Sequence, residues 1–179
     1  MATFCKIDSE GKVKEIHSVS DSNCLDENNN ESEAVGVAYL TKVFGHTDWK
    51  QCSYNTGLRI KSDGTLESYH KNDGTPFRGT YPRKGYFYHE AGDFFYPPQP
   101  FDSWTLNTNQ KGWVAPVTYP SVRTYPKTQF DSEQNANVED QIPYFITWDE
   151  TNQRWLAQDK EEPVSNFIWN PSTSSWDDA

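Results

Sequence analysis

The stretch FIWNPSTSSW, Phe167 to Trp176, decides how this chain is read. Two tryptophans, Trp169 and Trp176, stand seven positions apart around Asn170-Pro171 and a run of small polar residues. Asparagine starts turns because its side chain bonds nearby backbone amides, and proline pre-sets the backbone beside it. Rings flanking such a turn meet across two strands, and a cross-strand aromatic pair adds about 0.2–1 kcal/mol. The stretch therefore predicts a β-hairpin closed by Trp169 against Trp176.

The same signature recurs upstream. TWDETNQRW sets Trp148 seven residues before Trp155, TLNTNQKGW sets Leu106 seven before Trp113, and YHEAGDFF sets Tyr88 seven before Phe95. Each unit runs from a large apolar residue to His, Asn or Asp, then a polar stretch, then an aromatic. The units start 18, 42 and 21 residues apart. A solenoid or propeller would show a fixed period, so the repeat is one of local hairpins. An isolated hairpin is barely stable in water, and these need a surface to lie on. Either they join one sheet or they reach a neighbouring chain.

Composition fits a thin aromatic core. Only 34% of the 179 residues are hydrophobic and the mean hydropathy is −0.91, yet 15% are aromatic. Disordered chains are poor in rings, and each buried ring removes roughly 150–250 Å² from water. A core this small leans on partners. The net charge of −10 repels nucleic-acid phosphates and anionic lipid, so neither nucleic acid nor membrane is expected as a partner. Cys5, Cys24 and Cys52 are odd in number and irregular in spacing, which reads as free thiols in a reducing cytoplasm. No apolar run is long enough to span a membrane, and MATFCKIDSEGKV lacks the features of a signal peptide.

Along the chain, residues 3–19 predict a hairpin turning at Gly11, with Val13, Ile16 and Val19 inward. Residues 20–32 read as an acidic loop. Residues 32–44 predict the one helix, capped by Ser32 or Asn30 and stopped by Gly45. Its apolar stripe is Ala34, Val37, Ala38 and Val43, with Val35 or Leu40 at the edges, and Gly36 is a weak point. It is expected to pack across the N-terminal hairpin. A strand from Trp49, two Asp-Gly turns and the hairpin GYFYHEAGDFFY follow. Pro97, Pro98 and Pro100 make a stiff link. Residues 131–141 read as a flexible polar break and DKEEP, 159–163, as a connector. The fold class is mainly β with one α-helix (α+β), a small sheet plus irregular aromatic β-hairpins. Three parts are expected: a hairpin, helix and sheet domain over 1–96, a Pro-rich and aromatic hairpin segment over 97–130, and a pair of Trp-closed hairpins over 131–179 serving as a docking arm.

Chemistry is sparse. His17, His46, His70 and His89 lack metal-ligand spacing, and no CxxC, GxSxG, phosphate loop or HExxH occurs. No metal, cofactor or catalytic residue is expected, and the protein reads as non-enzymatic. His89 fills the turn-starting slot of its repeat, a structural role. The candidates for binding are Tyr96, Phe101, Trp104, Trp113, Trp148, Trp155, Trp169 and Trp176, which can lock hairpins, stack on sugars or anchor a protein interface.

Several blocks match a known pattern. The chain carries Trp49, Ser53, Tyr54, Asn55 and Thr56 as W-x-x-x-S-Y-N-T, then Phe77-Arg78 before the aromatic hairpin. A PPxP-aromatic-x-S-W-x-L-N block follows at Pro97, Pro98, Pro100, Phe101, Ser103, Trp104, Leu106 and Asn107. Over residues 2–126 the chain resembles a group of small virion structural proteins of marine tailed bacteriophages, notably those of cyanobacteria. The resemblance implies a virion protein assembled in the host cytoplasm, with other phage structural proteins, capsid or tail subunits, as partners. Decoration of the capsid exterior, through aromatic and Pro-rich hairpins, is the expected role. The alternative is a tail, neck or fibre part that binds a host surface glycan during adsorption.

Overall fold

Alternation in the first seven residues organises the N-terminal part of the protein, seen here in a computed structural model that describes residues 1–179. Strand β1 (Ala2–Ile7) lies between β2 (Val13–Val19) and β3 (Trp49–Cys52), antiparallel to both. Successive side chains of a strand point to opposite faces. Ala2 and Phe4 therefore join Val19, Cys24, Leu40 and Trp49 on one face, while Cys5 joins Val13, Cys52, Tyr88 and Phe95 on the other. Both faces are covered, which is why Ala2 to Cys5 are buried without a break. Val13 and Val19 are both inward as expected, but toward different faces.

The helix α1 (Glu33–Phe44) packs on β1 and β3. The Oγ of Ser32 accepts the Val35 amide at its start, and Gly45, left-handed at φ 77°, ends it. The expected stripe is rotated. Gly36 and Leu40 are buried and Val37 is half-buried, while Ala34, Ala38 and Val43 are exposed. The reason is Phe4: a Cβ on Gly36 would lie 2.2 Å from Phe4 Cζ. The helix offers its narrowest point to the Phe4 ring. Replacing Gly36 with Ala adds about 1 kcal/mol of helix propensity but overpacks the contact at a cost of about 1–3 kcal/mol. A lower melting temperature for Gly36→Ala, despite the better helix former, is the expected result by scanning calorimetry.

Six short hairpin strands complete this part. Strands β4 (Thr56–Ile60) and β5 (Leu66–His70) pair, as do β6 (Phe87–His89) and β7 (Phe94–Tyr96). The latter hairpin covers the second face of the sheet through Tyr88 and Phe95. Strands β8 (Thr105–Asn107) and β9 (Gly112–Val114) form another pair.

The remaining strands are a long hairpin, β10 (Thr124–Asp131) with β11 (Ala136–Pro143), and a four-stranded meander. The meander runs β12 (Phe145–Asp149), β13 (Arg154–Gln158), β14 (Asn166–Asn170) and β15 (Ser175–Asp178) in chain order. One expectation changes here. Residues 131–141 are the tip and second strand of the longest hairpin, because Asp131 opens a turn of the repeat type although Asn137 and not an aromatic faces Phe130. The last two Trp-closed hairpins take the first of the two alternatives, since Leu156 pairs with Ile168 and joins them into one sheet.

The chain divides into two units: Met1–Arg59 with Leu66–Pro100 and Leu106–Val114, and Ile60–Thr65 with Phe101–Thr105 and Ala115–Ala179. The segment 97–130 is thus shared out between the units and is not a part of its own.

Candidate interaction surface

The repeat is a turn with one chemistry. His89, Asn107, Asp131, Asp149 and Asn170 each accept, through the side chain, the amide three residues on: Gly92 at 2.9 Å, Gln110 at 3.0 Å, Gln134 at 3.1 Å, Asn152 at 3.2 Å and Thr173 at 3.4 Å. The next residue is left-handed in every case: Asp93, Lys111, Asn135, Gln153 and Ser174, with φ between 48° and 57°. A non-glycine residue adopts that conformation at a cost, which the side-chain acceptor and the closing strands offset. A shorter version serves Asp8, Asp26 and His70, each accepting amides two and four residues on.

These turns differ in how they answer acid. The Asp131 carboxyl is held below the usual carboxylate range by the Gln134 and Glu133 amides, and that of Asp149 by the side chain and amide of Asn152. A depressed folded-state value means that the stabilisation is complete above the ordinary aspartate range, about pH 4, and is lost as pH falls through the lower folded value. Asn107 and Asn170 do not titrate. On acidification from pH 5, the Gln134 and Asn152 amides are expected to lose hydrogen-exchange protection before those of Gln110 and Thr173. Simultaneous loss at all four would assign acid sensitivity to something other than the turn carboxylates.

The tryptophans form a row. Trp148 pairs with Trp155 and Trp169 with Trp176 across the strands, and the Leu156↔Ile168 register puts all four on one face of the meander. Ring centroids are 5.0 Å apart in the first pair and 5.1 Å in the second, both edge-on, the geometry that ring quadrupoles favour. Residues 101–105 and 115–122 of the same unit lie over the row. Trp104 meets Trp148 at 6.1 Å and Trp155 at 5.7 Å, and Tyr119 meets Trp155 at 4.8 Å. The indole N–H of Trp155 donates to the Val117 carbonyl at 2.9 Å and that of Trp176 to Val122 at 2.8 Å. Glu150 fastens the other end: it accepts the Ser103 amide at 2.8 Å, the Ser103 hydroxyl at 2.7 Å and the Trp148 indole at 2.7 Å. The Ser103 and Trp148 bonds hold its carboxyl below the usual range.

The candidate residues are therefore spent largely inside the fold. Trp148, Trp155 and Trp169 are only 8%, 5% and 6% exposed, so as surface anchors they are corrected: the surface they grip is their own chain. Phe101, Trp104 and Trp176 are half-buried in the same cluster. Tyr96 and Trp113 meet in the other unit at 6.1 Å, with the Trp113 indole donating to Pro97 at 2.8 Å. The sequence could not reveal Glu150 or residues 115–122 as the lid of this row.

Apolar surface remains elsewhere on the second unit. Phe130 is 64% exposed, Phe145 61%, Val164 46% and Val122 40%. The face of the meander opposite the tryptophans carries a shallow 250 Å³ hollow with Thr147, Leu156 and Ile168 in its lining. In the first unit, Glu31, Gln51, Ser53, Tyr54, Asn55 and Phe77 help line a polar hollow of about 390 Å³. Cys5, Cys24 and Cys52 are free and buried, and no three His, Cys, Asp or Glu side chains converge as a metal site. No family model, curated protein or solved structure matches the chain.

Proposed function

We propose that this protein is a non-enzymatic structural accessory component of a tailed bacteriophage particle, seated on the capsid exterior and held by other phage structural proteins. The observation that carries the reading is the surface of the second unit. It uses its tryptophans to stiffen a small sheet and leaves Phe130 and Phe145 more than half exposed, rings of the kind enriched at protein interfaces. The resemblance of residues 2–126 to small phage virion proteins supports the same setting. Quantitative mass spectrometry of purified particles, with immunogold labelling, tests it. Many copies over the head are expected. A few copies confined to the tail point instead to a neck, tail or fibre part, and absence from particles overturns the proposal.

A second reading, sugar binding during adsorption, is favoured by the hollow in the first unit and not by the tryptophans. Tyr54, 56% exposed, and Phe77, 37% exposed, stand in its lining beside the amides of Gln51 and Asn55. Rings flanked by amides are the chemistry that grips a pyranose. Calorimetric titration with host polysaccharide tests it, and no heat of binding removes it.

A further inference from the structure

The hairpin β10–β11 leaves one face uncovered. Its eight-residue strands extend roughly 27 Å, and a two-stranded hairpin is marginal without something to lie on. Its base is fastened: the Tyr125 hydroxyl accepts the Lys160 amide at 2.8 Å, and Lys127 pairs with Glu161 at 2.8 Å. From Thr128 to Gln141 its side-chain hydrogen bonds run only to residues of the same hairpin.

The two faces differ. The pairs Pro126↔Gln141, Thr128↔Glu139 and Phe130↔Asn137 define one face, and all six residues are exposed. The other face holds Tyr125, Lys127, Val138 and Ile142, all half-buried, together with exposed Gln129 and Asp140. Phe130 thus projects from the open face near the tip, where it is 64% exposed.

We infer that β10–β11 is an assembly arm that lies by this open face on a positively charged protein surface, with Phe130 seated in an apolar recess of that partner. Charge selects the occupant. Between Thr124 and Pro143 the chain has four carboxylates, Asp131, Glu133, Glu139 and Asp140, against one ammonium, Lys127, and that ammonium is already paired with Glu161. A second copy, with its own charge of −10, is repelled, as are nucleic acid and anionic lipid. A basic protein surface is attracted, and complementary charge both steers and orients the encounter. Prolines and charges along the arm, at Pro126, Glu139, Asp140 and Pro143, blunt its edges against indiscriminate strand pairing.

The inference rests on the proposed particle setting and its test separates the two. Purified particles lacking this protein are mixed with the full chain, with Phe130→Ala, and with Glu139→Lys, and bound protein is measured after sedimentation. All substituted positions are exposed, and unchanged circular dichroism confirms folding. Wild-type binding that weakens with salt, and a loss of roughly tenfold or more in affinity for each variant, is the expected result. Equal binding by all three proteins overturns the arm and leaves the particle setting intact. Failure of the full chain to bind overturns both. A dimer of the free chain that Phe130→Ala dissolves makes a second copy the occupant and also overturns the inference.

Discussion

Trp155→Ala is expected to unfold the second unit at far lower denaturant than the parent. Trp155 is 5% exposed and lies against three rings, Trp104, Trp148 and Tyr119. Truncating a buried Trp or Phe to Ala costs about 3–5 kcal/mol. Here the Val117 carbonyl also loses its indole donor, and the aliphatic neighbours that could collapse into the gap are few, Val117 and Ala115 among them. Whole domains are stable by only about 5–15 kcal/mol, so the loss is a large share. Two further variants sort the causes. Trp155→Phe keeps most of the ring contact and loses the donor, which costs about 1–3 kcal/mol for the unsatisfied partner. Trp176→Ala removes a half-buried ring on the outermost strand and is expected to cost less than Trp155→Ala. Guanidinium unfolding followed by near-ultraviolet circular dichroism reads all three. If Trp155→Ala were no worse than Trp176→Ala, the row would not be the core of this unit.

What sequence could show, and what it could not, divides along the range of the contact. The spacing Trp148 to Trp155 and Trp169 to Trp176 announced cross-strand pairs because a four-residue turn fixes which residues face each other, and the pairing is as read. The Ser32 cap and the Gly45 stop of α1 were legible for the same local reason. The β10–β11 hairpin has an equally regular turn at Asp131 but no closing ring, so no aromatic pair marks it in the sequence. The helix face was misassigned because Ala34 and Ala38 look apolar while Gly36 looks like a defect. Only the position of Phe4, more than thirty residues away, makes Gly36 the contact. Likewise the aromatic richness of the last hairpins suggested an outside partner. Their partners are residues 101–105 and 115–122, and a contact across that separation leaves no periodic trace in sequence.

The ion-pair hub around Arg78 is of the same long-range kind, and its removal should be the most damaging polar substitution in the first unit. Arg78 follows Phe77 in a loop, at φ 52°, with its side chain 11% exposed. Its guanidinium grips Glu33 with both fork nitrogens, at 2.5 and 2.9 Å, and donates through Nε to Asp93 at 2.6 Å. Nη1 also donates to the Gln51 carbonyl at 3.0 Å. The Tyr88 hydroxyl donates to the same Asp93 oxygen, and burial together with that bond pushes the phenol well above its ordinary range. Glu33 further accepts the Gln51 amide at 2.8 Å. One side chain thus ties the first turn of α1, strand β3 and the β6–β7 turn together. Breaking a buried pair costs about 3–5 kcal/mol. Asp93 is 58% exposed and Glu33 31%, so solvent screens part of this, and a loss of about 2–4 kcal/mol is expected for Arg78→Ala. Alanine keeps the strain of about 1 kcal/mol that Arg78 already bears in its left-handed backbone, whereas Arg78→Gly relieves it, and the difference between the two isolates the backbone share. Lysine restores charge without the planar fork, so Arg78→Lys is expected to recover less than half of the loss. A double-mutant cycle with Glu33→Gln decides whether the pair itself is responsible. A large coupling between positions 33 and 78 is the expected outcome. Simple additivity would mean that Arg78 stabilises this unit through packing against Phe77 and Tyr88, whose rings lie 5.0 and 5.8 Å from the guanidinium carbon.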